Sequence, residues 1–264
     1  MIPRSVLKDY IGSLRDPGFW IYATWLELVT KYRKSRLGII WALVPPLLYS
    51  FGVGWFFSLL QNISPLEFIP HLGVGYVVFR LITSSLSEAT VTLSGHSSYI
   101  LDGRTRLTDY VLRVLAKSVF YFATSMPIII LALALSPRFE WVGLLTVVPA
   151  LLVVCLNIGW MCIVVAVIGA RFQDVQELTG SFLMFSFLFT PIIWTSANVP
   201  ADSFRGMIAR ANPLFHFVEL VRAPLLGEPM ESLTFKYLAC FLVIGWGVAY
   251  FVYRRYARFV PIWL

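Results

Sequence analysis

Charge is what this sequence has least of. Only 13% of its 264 residues are Asp, Glu, Lys or Arg, against 58% apolar residues and a mean hydropathy of +0.77. A soluble domain carries about 25% charged residues, so too few polar side chains exist to cover a water-soluble globule. The chain reads as an integral membrane protein. Cysteine and histidine are equally sparse. Cys155, Cys162 and Cys240 form no CxxC pair and have no histidine nearby; all three fall in apolar runs and read as buried structural thiols that leave the redox compartment open. His71, His96 and His216 lie in three separate regions, a poor basis for an enzyme that needs converging acids or histidines. No GxxxxGK[ST] stretch is present, so the chain cannot supply a phosphate-cradling loop. Residues 1–18 hold five charges and no continuous apolar run, unlike a cleavable signal peptide. With no internal repeat or low-complexity tract, residues 1–264 read as one domain.

A transmembrane helix needs about 20 mainly apolar residues. Six segments qualify: 37–60, 69–93, 111–135, 141–169, 177–196 and 235–253. The expected fold class is therefore all-α, with six spans and both termini on one side. The net charge of +7 would suggest nucleic acid in a soluble chain, but its distribution says otherwise. Arg4, Lys8, Arg15, Lys31, Arg33, Lys34 and Arg36 precede span one; Arg104, Arg106, Arg113 and Lys117 follow span two. Arg171 lies in the next even loop and Arg254, Arg255 and Arg258 in the tail. Those fifteen cations face five on the other side: Arg138, Arg205, Arg210, Arg222 and Lys236. The positive-inside rule puts both termini in the cytoplasm, and the opening cluster reads as an anchor to membrane lipid rather than a nucleic-acid surface.

Residues 16–34 read as an amphipathic helix in the cytoplasmic interface. Asp16 is the expected N-cap and Pro17 the first helical residue. Phe19, Tyr22, Leu26 and Val29 form a stripe widened by Trp25, Leu28 and Tyr32, and Glu27 and Lys31 form an i,i+4 pair. An anchor and the border of a transport path are both consistent with it. After span two, a short helix near 96–101 should end at Gly103, with Thr108 capping the next span. Its Tyr99, Ile100 and Leu101 suit a docking surface, though a solvated turn would look similar. In the tight loop "GARFQDVQEL", Asp174 and Glu177 have the form of a capping box, which explains them as well as partner contact does. Arg80 and Glu88 lie inside span two, where facing lipid would cost about 2.5–3.5 kcal/mol each. They imply either a polar-lined cavity or a loosely matched buried pair. Phe182, Phe185 and Phe189 share a stripe of span five, and span one carries Trp41, Tyr49 and Trp55. Such rings stack on sugar faces, or simply pack. Between spans five and six, Asp202 should cap one short helix and Asn212-Pro213 should end it and start another. Both are too short to cross and carry apolar faces (Phe204, Met207 and Ile208; Phe215, Val218 and Val221), which suggests a re-entrant pair acting as a lid.

Three stretches, "YRKSRLGIIWALVPPLLY", "ARFQDV…LFTPIIW" and "NPLFHFVELVRAPLLG", run in an order that resembles the membrane subunit of ABC-2 type polysaccharide exporters, the O-antigen and capsule export family. The resemblance covers nearly the whole chain. It implies a homodimer of six-span subunits in the bacterial inner membrane, energised by two separate cytoplasmic ABC ATPase subunits that bind the ATP and Mg, with no cofactor in this chain. It also implies export of a lipid-linked glycan. By that resemblance, Ser97, Ser98, Tyr99, Ile100, Leu101 and Asp102 form a coupling helix, Arg171 and Asp174 a second ATPase contact, and residues 202–226 an outer gate that includes Phe204, Asn212, Pro213, Phe215 and Phe217. The expected substrate pathway is Trp41, Tyr49, Arg80, Phe182, Phe185 and Phe189. "LSGHS" at 93–97 only superficially matches an ABC signature. The nearest rival is an ABC-2 permease for a small amphiphile such as a drug or haem. An ATP-independent secondary transporter is a further one, but it should show inverted repeats or helices broken at mid-membrane.

Overall fold

The computed structural model describes residues 5–103, 105–195 and 199–264, which leaves Arg4 and Arg104 of the cation count outside the described residues. Every regular element among the described residues is helical, as segments must be that have no water to satisfy their backbone. The chain opens with α1 (Val6–Arg15) and α2 (Gly18–Arg33). Helix α1 was not expected, because its charges interrupt the apolar pattern. It is held by tertiary contacts: Val6 is fully buried, Tyr253 donates to Asp9 (2.8 Å), and Tyr10 packs edge-on against Trp246. Asp16 does not cap α2. It closes α1 instead, and Pro17 takes the position before α2.

The first expected span, 37–60, is helical but not regular. A 3-10 turn (Gly38–Ala42) leads into α3 (Val44–Leu47), a π-helical stretch (Leu48–Val53) and α4 (Gly54–Gln61). Pro45 and Pro46 lack the N–H that a continuous α-helix needs, and the hydrogen-bond register shifts on either side of them. Next come α5 (Pro65–Thr92), the short α6 (Ser97–Leu101), α7 (Leu107–Ala134) and α8 (Gly143–Gly169). Helix α9 (Val175–Phe189) has 15 residues, followed by α10 (Phe204–Ala211), α11 (Pro213–Leu225), α12 (Ser232–Tyr256) and α13 (Val260–Trp263).

Four of these, α5, α7, α8 and α12, are long and apolar enough to cross a membrane. They coincide over most of their length with the expected spans two, three, four and six. Helix α9 rises only about 22 Å at 1.5 Å per residue. It ends at Thr190, whose backbone is extended, because Pro191 disfavours α conformation in the residue before it. Thr108 does not cap α7: Arg106 holds that position, its backbone N–H donates to Asp109 (2.8 Å), and Thr108 is buried against Ser13 (2.7 Å). Likewise the first α9 residue follows Asp174, but no side-chain cap bond forms there.

Helix α5 is the central post, packed against α4, α7, α8, α9 and α11. Small residues let neighbours approach it closely: a Cβ at Gly169 of α8 would lie 2.1 Å from the Thr90 carbonyl oxygen. Helix α11 is buried on nearly all sides between α5, α8 and α12. Cys162 is buried and Cys155 partly so, but Cys240 is exposed on the outer side of α12, against the expectation of three buried thiols. The amphipathic stripe of α2 faces out, with Tyr22, Trp25 and Leu26 all more than half exposed, while Thr24 and Leu28 pack inward. Gly169→Val should force α5 and α8 apart and cost about 1–3 kcal/mol; a lower thermal unfolding midpoint in detergent checks this, and an unchanged midpoint would show that the close approach is not maintained.

Candidate functional site

Helix α2 climbs beside the first half of α7 instead of lying across its end. Phe19 meets Tyr110 edge-on, Thr24 reaches the Arg113 carbonyl, Glu27 takes Arg113 and Lys117, and Lys31 donates to Tyr121 (2.8 Å). These partners span about 17 Å of α7. The expected Glu27–Lys31 pair does not form, because Glu27 accepts from both α7 cations. Lys117 also donates to Glu88 of α5 (2.8 Å). Arg113 donates to Nε2 of His96, whose Nδ1 donates to the Thr92 carbonyl (2.7 Å). One charge network thus joins α2, α5, α7 and the turn leading into α6, around a cavity of about 450 Å³. Burial raises the Glu27 carboxyl, but its bonds from Arg113 and Lys117 outweigh that and hold it below 4.5. Burial also lowers the His96 ring below its ordinary value, which suits a neutral ring accepting from Arg113.

Below this network lies α6. Tyr99 and Leu101 are exposed, as are Ser98 and Asp102, and Ser97 is half-buried. Ile100 points inward and anchors the helix, so it is not part of the outward surface as expected. Gly103 ends the turn with φ +74°. Helix α13 packs on α6, and Arg171 stacks over its Trp263, 5.1 Å from the ring centre. Arg171, Phe172 and Asp174 are exposed at this same end.

Along the membrane, α5 carries an incompletely covered polar face: Tyr76, Arg80, Thr83, Ser84 and Ser87. Tyr49 stacks on Tyr76 with ring centres 4.0 Å apart and planes within 7°. Arg80 lies one turn further on, 5.8 Å from the Tyr121 ring centre. It does not pair with Glu88, which Lys117 takes, and its buried Nη1 has no hydrogen-bond partner among the described residues. Tyr49 and Arg80 therefore share one neighbourhood. Trp41 is exposed on the same broken segment as Tyr49, while Phe182, Phe185 and Phe189 project from the exposed side of α9. Phe187, not singled out from the sequence, is the α9 ring that reaches Tyr49 and Phe79.

At the opposite end, Arg222 of α11 is fully buried. It donates to Glu219 (2.6 Å) and the Pro191 carbonyl (2.5 Å) and approaches His71 Nε2 (3.1 Å) and Glu228 (3.9 Å). The i,i+3 spacing of Glu219 and Arg222 was the signal for this clamp, and it was missed. Ser203, not Asp202, caps α10 by accepting from the Gly206 N–H (3.0 Å). Asn212 caps α11 as expected, with Pro213 at its start, and also donates to Thr190 (2.9 Å). Phe215 and Phe217 are buried, whereas Phe204 is 77% exposed. Helix α11 is thus a core element and not a superficial lid; only α10 is peripheral. A cavity of about 1080 Å³ opens here, lined by Glu67, His71, Arg138, Arg210, Glu228 and Glu231 among others. Arg210 bonds both Glu231 oxygens (2.9 and 3.0 Å) and holds that carboxyl below its ordinary value against the effect of burial.

A helical chain with long apolar helices, ion pairs gathered at both ends and a polar stripe between them is a polytopic membrane protein of transporter type. Residues 19–226 match the ABC-2 type transporter family, and the chain belongs to it. It is 24% identical to Nodulation protein J of Rhizobium meliloti, over 96% of this chain and 99% of that one. It is 24% identical to the Polysialic acid transport protein KpsM of Escherichia coli, over 86% and 89% of the two chains. It is also 25% identical to the O-antigen export system permease protein RfbA of Myxococcus xanthus, over 71% and 72%.

Glu27→Gln should loosen α2 from α7 at a cost of about 1–2 kcal/mol, the pair being partly exposed. Acid should do the same in the unsubstituted chain. The folded pKa lies below the unfolded one, so the contribution is complete above about pH 4.5 and fades as pH falls through the folded value. Fluorescence of Trp20 and Trp25 against pH reads this out; a pH response equally large in the Gln variant would remove Glu27 as its source.

Proposed function

We propose that this chain is the permease subunit of an ATP-driven exporter that moves a lipid-linked polysaccharide across the bacterial inner membrane. The observation that carries the reading is the uncovered polar face of α5. Arg80 and its neighbouring hydroxyls cannot economically face lipid, so a second copy of the chain closes over them and the two faces form a wet path. The names of relatives matched over most of their length, a polysialic acid transport protein and an O-antigen export permease, supply the substrate class.

On this reading the whole chain is one ABC-2 type transmembrane domain. The broken segment 38–61 and α9, extended by residues 190–195, complete six spans, with both termini and α6 in the cytoplasm. Two separate ABC ATPase subunits bind ATP and Mg and dock on α6 through Ser97, Ser98, Tyr99, Leu101 and Asp102, with Arg171 and Asp174 beside them and Ile100 as the anchor from within. Trp41, Tyr49 and Arg80 line the path, and Phe182, Phe185 and Phe189 border it from the copy-facing side of α9. At the outer end, α10 with Phe204 moves over the fixed α11, in which Asn212, Pro213, Phe215 and Phe217 form the seat of the gate.

Deleting the gene should leave the glycan inside the cell, and returning the chain should restore surface display, except in a cell that also lacks the partner ATPase. Display that persists without it, or loss of drug efflux instead, would sink the polysaccharide reading. The Tyr99→Ala, Leu101→Ala double variant should insert normally yet retain less than about a tenth of the co-purifying ATPase, since a few exposed anchors dominate such contacts; undiminished co-purification would remove α6 from the interface.

A further inference from the structure

The hydrogen bonds around Arg222, at the outer end, do not close. Nη2 donates to Glu219 (2.6 Å), and Nη1 donates to the Pro191 carbonyl (2.5 Å) and to Nε2 of His71 (3.1 Å). His71 is itself buried, and the same Nε2 stands 3.3 Å from the Trp194 carbonyl. Its other nitrogen, Nδ1, stands 3.6 Å from Oε1 of Glu228. A neutral ring has one donor and one acceptor, and cannot serve all three neighbours. With the proton on Nδ1, Nε2 accepts from Arg222 and gives the Trp194 carbonyl nothing. With the proton on Nε2, that carbonyl is served, but Arg222 meets an N–H and Glu228 meets a bare nitrogen. One further donor is unmet: Nε of Arg222 is buried without a partner among the described residues, 3.9 Å from Oε2 of Glu228.

Charge points the same way. With His71 neutral, Arg222 alone faces Glu219 and Glu228, so one negative charge stays uncompensated in a half-buried group. A proton on His71 balances it. Nδ1 then donates to Glu228 and Nε2 to the Trp194 carbonyl, while repulsion from the ring turns Arg222 Nε toward Glu228. The remaining charges nearby do not compete. Glu67 pairs with Arg138 and Glu231 with Arg210, and His216 bonds Thr234 and the Arg210 carbonyl. Glu140 is exposed across the cavity, where its charge favours a protonated ring. All of α4 and α8, residues 118–134 of α7 and residues 178–189 of α9 contain no Asp, Glu, Lys, Arg or His. Burial raises the Glu228 carboxyl, but His71, Arg222 and Arg138 outweigh that and hold it below its ordinary value. Glu228 therefore stays ionised while the ring titrates. Both line the outer cavity of about 1080 Å³, which gives protons access from that side.

We propose that His71 is a proton-operated latch: on protonation it draws Glu228 and the turn of residues 226–231 inward against Arg222 and fixes the Trp194 carbonyl. Closing both gaps to hydrogen-bond length takes about 1 Å. Gly227, at φ +62°, starts that turn after α11, so the segment pivots without disturbing the helix. The other partner of the latch is the extended segment that follows α9, which Gln61 of α4 also holds through the Ile193 carbonyl (2.8 Å). Acid on the outer side thus tightens the joint where α4, α5, α9 and α11 meet, and higher pH releases it. The inference holds whatever the chain exports.

The test uses the full-length chain in phosphatidylcholine liposomes, with isotope-labelled histidine read by solid-state nitrogen NMR. His96→Gln and His216→Gln variants assign the three ring signals. His71 should carry its proton on Nδ1 at about pH 8.5 and be protonated on both nitrogens at about pH 5.5. Glu228→Gln should lower the midpoint by about one pH unit or more, because it removes a nearby opposite charge. A ring that keeps one form across this range overturns the proposal, as does a midpoint that Glu228→Gln leaves in place. Hydrogen exchange reads the movement of the turn. At about pH 5.5 the amides of residues 226–231 should exchange about ten-fold more slowly in the unsubstituted chain than in His71→Gln, and at about pH 8.5 the ratio should fall to about one. The same ratio at both pH values makes His71 a static support and overturns the latch. Should His71→Gln fail to fold, the ring titration and its response to Glu228→Gln, at a partly exposed side chain, decide alone.

Discussion

An ionised side chain in hydrocarbon must be answered by another group, and that requirement organises this molecule. At one end, Glu27, Arg113, Lys117 and Glu88 satisfy one another across three helices. At the other, Arg222 gathers Glu219, His71, Glu228 and the carbonyl of Pro191. Between them the helices are held by close packing, which by itself gives little preference for one register over another. The two polar networks supply that preference, because a slipped helix would strand a charge at several kcal/mol.

The inner network also bears on how the parts communicate. It ties α2, the post α5 and α7 to His96, and His96 stands immediately before α6. Arg113 thereby links the turn before α6 to Glu27 and α2 by side-chain contacts that lie outside the apolar core. Helix α2 in turn carries Lys31 to the open face of α5. The surface proposed for the ATPase and the face proposed for the substrate are therefore connected by a short chain of hydrogen bonds and ring contacts: His96, Arg113, Glu27, then one helical turn to Lys31 and Tyr121.

The outer end is built differently. Helix α11 has almost no exposed side chain and is pinned by Arg222 and by the Asn212 cap, so it behaves as scaffold. Helix α10 rests on it through few contacts, with Phe204 and Met207 uncovered. Within α10 only Gly206 and Ala209 are buried, in contrast to the buried length of α11.

Composition and apolar run length alone determined that this is a helical membrane protein, and they located the four long helices. Those properties depend on local segments: enough apolar residues to cross, and a backbone that closes its own bonds. The caps at Asn212 and the turn at Gly103 were legible for the same local reason. Tertiary structure decided what depends on partners far apart in sequence. Glu27 pairs with residues 86 and 90 positions away instead of with Lys31, Thr108 is buried on Ser13 instead of capping, and α11 is core instead of lid. Helical spacing shows which side chains share a face but not what that face meets. Arg80 was visible as a charge in the wrong solvent; that Glu88 belongs to Lys117, and so leaves Arg80 unanswered, follows only from the packing of α5 against α7.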